Sequence, residues 1–176
     1  MNTSQTTNTI RAAADRILDF ADSLAYEEPV DAEAVNDHKD VLRTSLPMRD
    51  MLIASAMTDH ATDREKLIGI AADPQAKETG RLVYDLLTAT IRDADAQPPI
   101  RRMTAIADGL ENLTGEKPER GDAQFHATAA YLYWMTGDEE RAELAATKAL
   151  LCDGTNTMAA IVLTAICRGM KPAYLH

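Results

Sequence analysis

Nowhere in this chain do apolar and polar residues alternate with period two for long enough to make a strand. Apolar residues recur instead three or four positions apart, and Pro or Gly closes most of the stripes. That pattern restricts the chain to helices packed on helices. The first stripe runs from Asn8 or Thr9 through Ile10, Ile17, Leu18, Ala21 and Leu24 and is expected to end at Pro29. Asp31 is placed to cap a second helix bearing Ala34, Val35, Val41 and Leu42. Pro47 suits the first residue of a third, with Met48, Met51, Leu52 and Ser55 along one face. A fourth is predicted to open at Ala61–Thr62, where Thr62 and Glu65 form a capping box, and to carry Leu67, Ile68, Ile70 and Ala71. From Pro74 a longer helix carries Leu82, Val83, Leu86, Leu87 and Ile91, with Gly80 loosening its first turns. After the break "AQPPI" comes a stripe of Met103, Ile106, Ala107, Leu110 and Leu113.

"TGEKPERGD" is the most turn-rich stretch and the best place to divide the chain. Three more helices follow, at about 122–136, 138–152 and 156–168, and Gly169 with Pro172 stops the last. The expected fold is all-α, an array of about nine helices with short connections. It forms one helical domain, 1–176, with lobes at 8–115 and 119–172. At 176 residues the chain is long enough to bury a sizeable core. Aromatic residues are only 5 %, which agrees with helix packed on helix through Ala, Leu, Ile and Met.

From Ala123 to Asn156 lie 34 residues, the length of one tetratricopeptide repeat. Gly137 is placed to end one helix and Asp138 to cap the next, while Glu139 and Glu140 favour its positive N-terminal end. Ala130, Tyr133, Ala142 and Ala149 fall where that repeat has its small contact residues and its usual Tyr. "GDEERA", "KAL" and "LCDGTN" fall on its inter-helix turn, second helix and closing turn. The segment resembles a single such repeat. His126, Ala129, Ala146 and Gly154 replace the usual Trp, Leu, aromatic and Pro, and no second copy follows. "MRDMLIASAM", then "AQFHATAAYLYWMTGDEERAELAATKAL" and "GMKP", are also similar to the C-terminal helical half of a bacterial domain family of unknown function from high-GC Gram-positive organisms. Arg49–Asp50 and Trp134 with Gly137–Asp138 carry that likeness, over roughly residues 47–172. It implies a helical fold and a bacterial, cytoplasmic setting only, because the family has no established activity.

The formal net charge is −10. Duplex binding needs a basic face, so no direct nucleic-acid binding is expected. From Asp19 to Asp40 eight acidic residues face one Lys, read as a solvated face. No apolar run reaches the length of a membrane span. His38, His60, His126 and His176 show no metal-ligand spacing and are read as solvated surface residues, so no metal is expected. Cys152 and Cys167 fit buried helical positions and lack a partner that would activate a thiolate. No nucleophile motif or phosphate loop appears, so no catalytic residue and no cofactor is expected.

The remaining candidates form a possible interaction surface: Tyr131 and Trp134, three apart on one face; Arg49; Arg101 and Arg102, expected to pair with the acidic first lobe; and His126. Arg49 and Asp50 are read as pointing apart, since adjacent helical residues do. The leading expectation is a non-enzymatic protein–protein interaction module, with either a protein partner or a homodimer. An acidic regulator mimicking nucleic acid toward a basic partner and an enzyme with a site between the lobes are the alternatives.

Overall fold

The computed structural model describes residues 3–26, 39–58, 63–115 and 119–176. Every regular element among them is helical: α1 (Thr3–Ala25), α2 (Leu46–Ala56), α3 (Arg64–Ala72), α4 (Lys77–Arg92), α5 (Ile100–Asn112), α6 (Ala123–Thr136), α7 (Glu139–Cys152) and α8 (Thr157–Cys167). Residues 39–44 are helical as well, and short 3-10 turns lie at Arg120–Asp122 and Ala173–Leu175. The fold is all-α.

Several starts differ from the sequence expectation. α1 begins at Thr3 rather than Asn8 or Thr9; Thr9 tolerates the helix by turning its hydroxyl back onto the Gln5 carbonyl at 3.0 Å. α2 is capped by Ser45, whose hydroxyl accepts from the Met48 N–H, so Pro47 is the second helical residue rather than the first. α3 is capped by Asp63, which accepts from the Glu65 N–H. α4 starts at Lys77, and Pro74 sits in the turn before it. Pro29, Asp31, Ala34, Val35, His38, His60, Ala61 and Thr62 lie outside the described residues.

Two helices form the centre. α2 is buried at every position from Met51 to Ala56 and at Met48, not along one face only. α6 is buried at every position from Ala123 to Met135 except Tyr131. A helix apolar all round needs neighbours on all sides. α2 packs on α1, α3, α4, α5 and α6, and α6 packs on α5, α7 and α8. One apolar cluster runs from Ala13 in α1 to Ala165 in α8, so the core is continuous across the "TGEKPERGD" stretch. Arg43 adds a polar clamp there. Its Nη2 meets Asp122 Oδ1 at 2.7 Å, and its guanidinium lies 5.9 Å from the Phe125 ring centre.

The hairpin between α6 and α7 forms as its spacing requires. Gly137 adopts φ +84°, a left-handed conformation that costs a Cβ-bearing residue. The Gly137 N–H then reaches the Trp134 carbonyl and the Asp138 N–H the Tyr133 carbonyl, at 3.1 and 3.0 Å, closing α6 with a Schellman turn. Asp138 caps α7 by accepting from the Arg141 N–H. Ala130, Ala142, Ala146 and Ala149 are fully enclosed between the helices, so the backbones meet closely. Gly169 repeats the turn after α8, at φ +62°. The tail then folds back: Trp134 Nε1 donates to the Met170 carbonyl at 2.9 Å, and the Tyr174 hydroxyl donates to the Met135 carbonyl.

Candidate functional site

Three features of the fold bear on function: an apolar cavity, a polar cleft, and an outward apolar surface on the last two helices. The cavity lies between α2 and α4, with α6 and α8 at its edge. α2 contributes Arg49, Asp50, Ile53, Ala54 and Met57 on successive turns. α4 contributes Val83, Leu86 and Leu87, α6 Tyr131 and α8 Met158, around about 280 Å³. Thr90 is the one buried residue of α4; Leu82, Val83, Leu86, Leu87 and Ile91 are half-buried and pack against the core, and Val83, Leu86 and Leu87 also line this space.

Arg49 and Asp50 do pair, contrary to the sequence expectation. Arg49 places Nη2 at 2.6 Å and Nε at 2.9 Å from the same Asp50 oxygen, Oδ1. Their Cβ atoms diverge, but the long arginine stem curls round the helix to its neighbour. Burial holds the Tyr131 phenol above its ordinary pKa, with Tyr174 adding to it, so its proton stays available to donate.

The polar cleft, of about 400 Å³, lies between α5 and α7. Glu111 is its hub. It accepts from His126 Nδ1 at 2.5 Å and from Lys148 Nζ at 2.7 Å. An ionised carboxylate only accepts, which places the His126 proton on Nδ1. Burial pushes the Glu111 carboxyl up, but the His126 and Lys148 hydrogen bonds outweigh it and hold the group below its ordinary value. Beside it the Tyr133 hydroxyl donates to Asp108 Oδ1 and accepts from Arg141 Nη2, both at 2.6 Å. The Arg141 guanidinium stacks 4.0 Å from the Tyr133 ring centre and also pairs with Asp108. These side chains tie α5, α6 and α7 together. His126 is therefore only 5 % exposed, a correction to its expected place on the surface.

The outward surface belongs to α7 and α8, which pack on each other. On α7, Glu140, Leu144, Thr147 and Leu151 are exposed at successive helical turns, with Glu143 beside Leu144. Leu151 is 73 % exposed. α8 reads "TMAAIVLTAIC", without a charged residue, yet buries only Ala159, Val162 and Ala165. Ile161 stands 66 % exposed on it, and Met170 is exposed just beyond.

The other sequence candidates separate. Tyr131 and Arg49 meet at the cavity. Trp134 is a buried peg, its ring centre 6.0 Å from that of half-buried Tyr131. Arg102 binds Asp22 Oδ1 at 2.6 Å and the Ser55 carbonyl at 2.9 Å, the expected tie to the acidic first lobe. Arg101 is exposed. No described cavity brings Arg49, Arg101 and His126 together. The acids of α1 are not simply solvated, since Arg64 gathers Asp15, Asp19 and Asp22 at 2.7, 2.6 and 3.3 Å. Cys152 is half-buried and Cys167 exposed, against the expectation that both are interior. Burial, then Asp122 and Glu111, push the Cys152 thiol up. His176 is exposed. Among the described residues no group of three His, Cys, Asp or Glu side chains is arranged to hold a metal ion, and no helix is long and apolar enough to cross a membrane.

No family model matches this chain, and no match is found among curated proteins or solved structures. Sequence reasoning overlooked Glu111, Leu151 and Ile161. The signal for Ile161 was legible: α8 carries no charged residue, so its outer positions are filled by uncharged ones.

Proposed function

We propose that this chain is a non-enzymatic helical protein-interaction module of the cytoplasm. In this proposal it is related to the helical half of the bacterial domain family it resembles, and its α6–α7 hairpin serves as a tetratricopeptide-like scaffold. The observation that carries the reading is α8, an uncharged helix whose outer positions Thr157, Ala160, Ile161, Thr164 and Cys167 are exposed. Leu144, Leu151, Ile161 and Met170 on and beside it are large apolar side chains left exposed, and a partner that covers them would remove that apolar surface from water.

The partner is an amphipathic helix of another protein. Its apolar side chains rest on Ile161 and Leu151, and its basic residues meet Glu140 and Glu143. The net charge of −10 draws such a segment in. The Arg64 and Arg102 ion pairs weigh against a nucleic-acid mimic, since they take carboxylates of α1 out of any phosphate-like row.

The test is co-purification from the source organism with wild type and a Leu151→Asp/Ile161→Asp variant. Both positions are exposed, so the variant keeps the wild-type circular dichroism and melting temperature. It loses a partner that wild type retains at low salt and releases at high salt. Equal recovery of that partner by a folded variant refutes this surface as the contact.

A further inference from the structure

We infer that the cavity between α2 and α4 is a binding site for a small zwitterion with an apolar tail, a free α-amino acid of the leucine or phenylalanine kind. Size sets the first limit. An apolar cavity of about 150 Å³ admits benzene, and this one is about 280 Å³, which suits roughly nine to twelve non-hydrogen atoms. That is near the small end of ligand pockets.

Charge sets the second. The walls are aliphatic or aromatic except where Arg49 and Asp50 stand together. Their salt bridge uses Arg49 Nε and Nη2 and a single oxygen of Asp50. Among the described residues, Arg49 Nη1 and Asp50 Oδ2 carry no other hydrogen bond. The outer edge of the guanidinium is thus free to grip a carboxylate, in the fork geometry that suits it. Asp50 Oδ2 is free to accept from an ammonium group. A plain carboxylate at Arg49 would sit against the Asp50 charge, and a plain amine at Asp50 against the Arg49 charge. A zwitterion satisfies both, and no net charge is carried into the site.

The apolar tail then lies among Ile53, Met57, Val83, Leu86, Leu87 and Met158. α4 is the wall that can adapt, because it gives only one fully buried residue to the core. This inference does not rest on the protein-interaction reading, which concerns a different face.

The probes are L-leucine, 4-methylpentanoate, which lacks the ammonium, and 3-methylbutylamine, which lacks the carboxylate. Binding is read from the methyl signals of Met57 and Met158 during titration of the intact chain. L-Leucine is expected to bind at least about tenfold more tightly than either analogue, since each lacks one charge-assisted contact. Asp50→Asn should bring 4-methylpentanoate to within about threefold of L-leucine by removing the like-charge neighbour. Val83→Trp, on the loosely packed helix, should fill the space and abolish binding while the circular dichroism stays helical. If Val83→Trp does not fold, Asp50→Asn still decides. No leucine response at millimolar concentration, or a single-charge analogue that matches leucine on wild type, overturns the inference. Unchanged leucine binding by a folded Val83→Trp does so too.

Discussion

Replacing Arg43 with Met should destabilise the protein far more than replacing Asp122 with Asn. Asp122 is only 1 % exposed, whereas the Arg43 side chain is 21 % exposed. Met keeps an unbranched apolar stem over Phe125 but leaves the Asp122 carboxylate buried without its cation. Removing one partner of a buried pair costs about 3–5 kcal/mol. Water reaches the Arg43 side, so the expectation here is about 2–3 kcal/mol. For a chain this size that lowers the melting temperature by about 4–12 °C. Asp122→Asn leaves Arg43 near solvent and still beside Glu119 and Asp40. Its cost is the favourable interaction of a carboxylate with the α6 N-terminus, about 0.3–1 kcal/mol. In the double variant no buried charge remains, so the two effects are not additive, with a coupling of about 1.5 kcal/mol or more. Urea unfolding followed at 222 nm gives all four free energies. A cost below about 0.5 kcal/mol for Arg43→Met, or strict additivity, would show that this clamp does not hold the two halves of the chain together.

Other outcomes follow from the hairpin and the cleft. Ala149→Leu overfills a fully enclosed contact and should cost about 1–3 kcal/mol, whereas Leu151→Ala, two residues on and outside, should stay within about 0.5 kcal/mol in the same assay. Gly137→Ala puts a Cβ into the left-handed conformation, 3.1 Å from Leu175 Cδ1, and should cost about 1–2 kcal/mol by thermal melting. Glu111 has a folded pKa below its ordinary 4.5, so the stability it contributes is whole above that value and drains away as pH falls through the lower folded value. The gap between wild type and Glu111→Gln in urea should therefore narrow below about pH 4.5, and a constant gap would contradict the pairing. Trp134→Phe removes the indole hydrogen bond to the Met170 carbonyl, and amide exchange at Met170, Lys171 and Ala173–Leu175 should quicken while exchange in α2 stays unchanged.

The helices were legible because their apolar periods and their Gly and Asp punctuation are local. Gly137 and Asp138 acted as their chemistry dictates, and Ala130, Ala142 and Ala149 filled the contact their size allowed. Starts were misplaced where two signals competed. Pro74 suited a helix start as well as the turn that it occupies. The centrality of α2 was hidden because burial all round depends on five neighbours, none nearby in sequence alone. Arg49–Asp50 was missed because helical geometry constrains Cβ directions and not the reach of an arginine. The His126–Glu111 pair spans α5 and α6, and spacing holds no trace of it. Trp134 lies inside, where its indole N–H finds a polar partner in the returning tail.

We propose that the outer surface of α7 and α8 receives a protein partner. A photo-crosslinking residue at position 161, with a second chain carrying it at position 81 on exposed α4, tests this in lysate of the source organism. The expected result is a crosslinked adduct to a second, basic polypeptide from position 161 and none from position 81. An uncrosslinked chain at position 161, or adducts of equal yield from both positions, contradicts the claim.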